Sequence, residues 1–150
     1  MLSDSYSYKA NASHRQYIFE SIGPKGRIIK VVLYQLMEEE DGVDTYNLAF
    51  GDFDPLTREF SDLATSNNKD SDKVLATGAA TALDFTNHFP GSRIYAKGST
   101  PSRTRLYQMG IAANFKEMDK YFLIEGENDD GELLPFLPGV NYCSFLATRR

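Results

Sequence analysis

The chain has no tryptophan, a single cysteine and no apolar run long enough to cross a bilayer. One cysteine, Cys143, excludes an internal disulfide and suits a reducing compartment. A membrane helix needs about 18 or more consecutive apolar residues, so no membrane span is expected. The first residues, Met1-Leu2-Ser3-Asp4-Ser5-Tyr6, lack a basic stretch followed by an apolar one. No secretory signal is therefore read, a cytoplasmic location is expected, and the sequon Asn11-Ala12-Ser13 carries no meaning. A nucleophile elbow, a paired-cysteine site and a dinucleotide fingerprint are also missing, so no cofactor is assigned. The most telling absence is local. From Phe85 to Lys116 there is no Asp or Glu, although the chain holds 21 acids against 16 Lys and Arg, a net charge of -5. That window carries Arg93, Lys97, Arg103, Arg105 and Lys116, together with His88. An acidic total argues against a general nucleic-acid coat, whereas a local basic face suits one specific anionic contact. It suits equally well docking on the protein's own acidic residues.

What is present fits one domain. At 150 residues and 41% hydrophobic content the chain is long enough to hold a core, and chains of this length bury roughly 68–70% of their unfolded surface. Ten Phe and nine Tyr suit a pleated surface. Residues 1–13 are polar and expected to be loose at their start. Strands are predicted over 17–22 and 27–37 around the Gly23-Pro24-Lys25-Gly26 turn, then over 45–53 and 58–63. Glu38 to Gly42 reads as a solvated acidic hairpin tip. A helix is predicted from Asp70 or Ser71 to His88, with Val74, Gly78, Thr81, Phe85 and Phe89 near one stripe. Its small residues allow close approach to a sheet. An edge strand over 92–96 follows, then a second, short helix that Gly110 ends or bends. A strand over 121–125 and a final apolar run over 142–147 complete the chain. The fold class is α+β in two layers: an antiparallel meander packed on one long helix, with the second helix following an added strand.

The candidate site is Lys97-Gly98-Ser99-Thr100-Pro101-Ser102-Arg103-Thr104-Arg105-Leu106-Tyr107. Pro101 suits the first helical position, with Thr100 or Ser99 as the cap. Cations in the first turn oppose the helix dipole by about 0.3–1 kcal/mol each unless something negative lies near. A capped helix start offers free backbone N–H groups to an anion. Lys97, Ser99, Thr100, Arg103 and Arg105 are the candidate ligand-binding residues, with Tyr107 available for stacking. Arg103 and Tyr107 share a helix face, and Arg105 lies about 200° around from Arg103. The order Lys-Gly-Ser-Thr is not a phosphate-binding Walker loop. A plain helix cap with arginines paired to the protein's own acids is the alternative.

Asp52 and Asp54 end a strand, and Asp84 and His88 share a helix face. Together they offer metal ligands, but no spacing joins them, and turn-forming acids with a surface helix pair are favoured. No metal site is assigned. His14 and His88 sit in no motif, and Cys143, between Tyr142 and Phe145, reads as a small core residue. The blocks Asn47–Asp52, Ser66–Asn68, Lys73–Thr77 and the Lys-Gly-Ser-Thr segment with Arg103-Thr104-Arg105-Leu106-Tyr107 resemble a family of uncharacterised bacterial proteins of this size, mainly from Bacteroidetes-type genomes. The resemblance implies a bacterial cytoplasmic single-domain protein and supplies no activity, cofactor or catalytic residue.

Three functions follow as expectations. The first is a binding module for a phosphate-bearing ligand, including RNA or DNA, at the 97–107 helix start. A toxin–antitoxin or defence setting for it rests on analogy alone. The second is a nuclease or phosphoester hydrolase in which Arg103 or Arg105 stabilises the charged transition state and His88 or Asp84 approaches as base. The third is a subunit docking an acidic protein partner. An exposed edge strand would also allow a homodimer.

Overall fold

The computed structural model describes residues 4–61 and 68–150. Among these residues nine strands form one sheet: β1 (Lys9–Ala10), β2 (Gln16–Gly23), β3 (Gly26–Glu40), β4 (Val43–Asp54), β5 (Glu59–Ser61), β6 (Arg93–Ala96), β7 (Phe122–Glu127), β8 (Leu133–Pro135) and β9 (Ser144–Arg149). Helices α1 (Ser71–His88) and α2 (Pro101–Met118) flank β6 in the chain. The spatial order is β1-β2-β3-β4-β6-β9-β7-β8, with β5 also paired to β4. All pairings are antiparallel except β4 with β6. The mixed α+β architecture expected from the sequence is the one found, and the meander runs through β2, β3, β4 and β5.

Local chemistry explains the hairpins. Gly23 pairs with Gly26, leaving Pro24-Lys25 as the turn. Glu40 pairs with Val43 across Asp41-Gly42, whose φ values are 53° and 75°. Two central residues with positive φ make the primed turn that matches strand twist, and Asp-Gly is among its preferred sequences. The acidic segment is thus the end of a long β3–β4 ribbon.

Both helices lie on one face of the sheet. Tyr34 of β3 stacks on Phe85 of α1 with ring centroids 4.2 Å apart and planes 7° off parallel. At Gly78 an added Cβ would stand 3.3 Å from the Phe50 ring, so the small stripe of α1 does let the sheet come close. The opposite face is partly open, with Ile18 40% and Leu123 43% exposed.

Two expectations need correction. The strand at 93–96 is not an edge: β6 runs parallel to β4 on one side and antiparallel to β9 on the other, and Ile94 is buried. The second helix is not short. It spans 18 residues and passes through Gly110, because α2 crosses α1 there. A Cβ at Gly110 would stand 2.7 Å from the Leu75 side chain, so glycine serves packing rather than helix termination. Within residues 4–13, Tyr6 and Tyr8 make specific contacts. The Tyr6 hydroxyl donates to Asp70 Oδ2 at 2.6 Å, its backbone N–H donates to Thr77 Oγ1 at 2.8 Å, and Tyr8 packs edge-on against Tyr17. The part of the fourth predicted strand beyond Ser61 lies outside the described residues, as do Ser66 and Asn67. The outermost strands, β1 and β8, have two and three residues, and β8 ends on Pro135.

Candidate functional site

The Lys97–Tyr107 segment is a tight strand-to-helix corner. Thr100 caps α2, its Oγ1 accepting from the Arg103 N–H at 3.2 Å, and Pro101 opens the first turn. The Gly98 N–H donates to Thr104 Oγ1 at 3.0 Å, which ties the chain before the cap to the helix after it. A Cβ at Gly98 would stand 2.3 Å from Thr104 N, so only glycine allows this approach. Facing the corner is the 137–143 loop. Gln108 of α2 clamps it, donating to the Val140 carbonyl and accepting from the Tyr142 N–H at 3.1 Å.

Between corner and loop lies a cleft of about 440 Å³, lined by Lys97, Ser99, Thr100 and Arg105 on one side and by Asn141 and Cys143 on the other. Four of the six sequence candidates therefore share one cavity. Arg103 and Tyr107, which share the other helix face, do not line it. Tyr107 turns inward, half-buried against the core, and lines an apolar cavity of about 100 Å³ between the helices and the sheet. The expected row of free amides also shrinks. Pro101 has no N–H, and the Arg103 and Thr104 N–H groups go to Thr100. Ser102 supplies the remaining first-turn N–H, so the field of the cleft rests mainly on the Lys97 and Arg105 side chains.

Cys143 is on the cleft wall rather than in the core. Its thiol donates to Asp129 Oδ1 at 3.1 Å, and this bond to a carboxylate, with burial adding to it, holds the thiol pKa above its ordinary value. The thiolate is the nucleophile, so Cys143 should be sluggish at neutral pH. Alkylation by iodoacetamide at pH 7.5 is expected to run slower than for a cysteine peptide and to speed up in Asp129→Asn. Equal rates in the two proteins would exclude this control of the thiol.

The acids proposed as metal ligands separate. Asp52 is paired across the strands with Lys30, which is 7% exposed, and Asp54 Oδ1 accepts from Leu56 N–H at 2.9 Å in the following turn. Asp84 and His88 do share a face of α1, but their third neighbour is His14, which the sequence offered only as an isolated residue. His14 Nδ1 lies 3.7 Å from Asp84 Oδ2, and His88 Nδ1 lies 3.8 Å from Asp84 Oδ1. The two imidazoles stack with centroids 3.6 Å apart. Beneath them is a tyrosine layer. Tyr8 and Tyr34 both pack edge-on against Tyr17, and the Tyr34 hydroxyl bonds Thr81 Oγ1 at 2.9 Å. Tyr17 is fully buried, and its hydroxyl has no hydrogen-bond partner of good geometry. Burial first, and the Asp84 carboxylate second, hold its proton on far above the ordinary tyrosine range.

A family model described as a family of unknown function, DUF6934, matches residues 2–150. The chain belongs to this family. At that level the match agrees with the resemblance drawn from the sequence, which also spanned nearly the whole chain without an activity. Neither a curated protein nor a solved structure matches the chain.

The residues of this chain that sequence reasoning missed have a common cause. His14 sits 70 positions before Asp84 and takes φ 56°, a left-handed conformation that marks no periodic pattern. Gln108 acts through its clamp on Val140 and Tyr142, and Asn141 lines the cleft from that loop, and neither leaves a local signature. One signal was available for His14. Asn11, three residues earlier, is a strong turn former, and its Oδ1 accepts from Ser13 Oγ, Arg15 N–H and Gln16 N–H at 3.1–3.2 Å.

Proposed function

We propose that this protein is a binding module for a phosphate-bearing ligand seated in the cleft between the start of α2 and the 137–143 loop. The observation that carries this reading is the approach of Lys97 and Arg105 to one cavity at a helix start whose first turn contains no acid. Such a helix start favours an anion through its dipole. Ser99 adds a hydroxyl to the wall. A volume of about 440 Å³ falls within the range of small-molecule pockets. It favours a small phosphorylated molecule or a single nucleotide over a long stretch of nucleic acid. A hydrolase reading has less support, because neither Asp84 nor His88 lines the cleft. On this proposal the protein works in a reducing cytoplasm, where Cys143 stays a thiol, and an acidic protein segment is the competing occupant.

Titration with a nucleoside monophosphate and with a short single-stranded RNA, at low and moderate salt, tests it. The wild type is expected to bind the nucleotide saturably. Lys97→Ala/Arg105→Ala, with folding checked by circular dichroism, should bind at least about tenfold more weakly, since a hydrogen bond to a charged group contributes about 1.5–3 kcal/mol. Arg103→Ala should change affinity less. Preference for RNA with a steep salt dependence would move the reading to nucleic acid. No binding of either probe at low salt would sink it.

A further inference from the structure

We propose that His14, Asp84 and His88 form a binding site for a divalent transition-metal ion of the zinc type, separate from the anion cleft. Each residue offers one ligand atom, and the three atoms lie within 4.8 Å of one another. Zinc bonds of about 2.0–2.1 Å to nitrogen and oxygen place neighbouring tetrahedral ligands about 3.3 Å apart. His14 Nδ1 lies 3.7 Å from Asp84 Oδ2, close to that value, and the two imidazoles, stacked 15° off parallel with centroids 3.6 Å apart, must splay for their ring nitrogens to converge on one ion. Two imidazoles and one carboxylate are a borderline donor set. They suit zinc, cobalt or nickel and are a poor cage for calcium or magnesium, which take oxygen ligands.

The surroundings point to a ligand independently of this spacing. His14 Nδ1 is buried and has no hydrogen-bond partner. The Tyr17 hydroxyl, fully buried beside the same carboxylate, has no partner of good geometry either. Two such atoms at one place are unusual, because buried polar groups are nearly always hydrogen-bonded. The backbone at His14 is unusual too. Its φ of 56° is held by the Asn11 side chain, by the His14 N–H donated to Asn11 O at 3.0 Å, and by the Asn11 N–H donated to Gln16 O at 2.9 Å. A firmly pinned turn therefore presents an uncompensated imidazole nitrogen to a carboxylate. His88 is also oriented. Its Nδ1 lies 3.0 Å from the Asp84 carbonyl, and an Nδ1–H donated there leaves Nε2 as the lone-pair nitrogen. Arg15, the nearest cation in sequence, is drawn away, with its guanidinium over the Phe89 and Tyr46 rings at 5.0 and 5.6 Å. Three protein ligands leave a fourth position for water or a ligand, as in zinc sites that do chemistry.

The test uses the tag-free full chain, stripped with chelator and titrated with Zn²⁺ by calorimetry and with Co²⁺ by visible absorption. One ion per chain is expected, with the absorption of a four-coordinate cobalt site. His14→Ala and His88→Ala should each weaken binding at least tenfold while circular dichroism stays that of the wild type. Cys143→Ser should bind as the wild type does, and added Zn²⁺ should raise the melting temperature of the wild type but not of the double histidine variant. If His14→Ala fails to fold, Asp84→Asn, which keeps the shape of the side chain, carries the same expectation. Absence of saturable binding by the wild type overturns the site. So does binding that survives loss of both histidines or disappears in Cys143→Ser.

Discussion

Phe85→Ala is expected to lower the stability to unfolding by about 3–5 kcal/mol. Phe85 has no exposed surface and lies where the helix layer meets the sheet. Its ring stacks on Tyr34, meets Tyr46 edge-on at 4.8 Å and touches Phe89 at 4.9 Å, so truncation empties the centre of an aromatic cluster. The helix is poorly placed to collapse into the gap. At its start, Asp70 Oδ2 accepts from the Tyr6 and Ser21 hydroxyls at 2.6 and 2.5 Å. At its end, the Arg149 guanidinium donates to the Leu83 carbonyl, Thr86 Oγ1 and Asn87 Oδ1. A helix tied at both ends leaves a cavity rather than closing it, which puts the cost at the high end of large-to-small changes. Domains have only about 5–15 kcal/mol in total, so the variant should melt well below the wild type. Urea unfolding followed by circular dichroism decides the matter. A loss under about 1.5 kcal/mol would mean that this stack is not the keystone of the core.

Most of this architecture was legible in the chain because local rules governed it. Tyr17, Phe19 and Ser21 alternate with exposed residues in β2. The Val74, Gly78, Thr81 and Phe85 stripe lies on the buried face of α1. What escaped was decided by tertiary contact. Gly110 reads as a helix stop on propensity, but the crossing with Leu75 needs its missing Cβ and carries the helix through to Met118. The position of β6 was misread because Ile94 alternation is the same in an edge and an interior strand. The parallel pairing to β4, reached over α1, together with the antiparallel pairing to β9, makes it interior. Asp70 was rightly placed at the start of α1, but its carboxylate makes no cap bond and serves Tyr6 and Ser21 instead.

The two candidate sites divide along the same line. Lys97, Ser99, Thr100 and Arg105 stand close together in the chain, so a sequence reading could find their neighbourhood, though not that Arg103 and Tyr107 leave the cleft. The histidine pair joins residues 74 positions apart, and its geometry depends on one left-handed residue. Stripe and spacing rules do not reach such pairs.

Gly98→Ala is expected to lower stability by about 1–3 kcal/mol, the usual cost of forcing extra atoms into a packed site, and to abolish anion binding. The obstruction is backbone, not side chain. The added Cβ would stand 2.3 Å from Thr104 N and 2.6 Å from Arg103 C, and no rotation relieves it. The corner must open, which breaks the Gly98 N–H bond to Thr104 Oγ1 and weakens the bond that the same hydroxyl donates to the Thr100 carbonyl at 3.3 Å. Lys97 moves with the strand and Arg105 with the helix, so the two cations lose their common register across the cleft. Substitution of Thr104 by serine keeps the hydroxyl and should retain most of both properties. Urea midpoints and nucleotide titration for the two variants separate the possibilities. An alanine variant as stable as the wild type would show that the close approach at Gly98 is not required. One that is destabilised yet still binds the nucleotide would remove the cleft from the function.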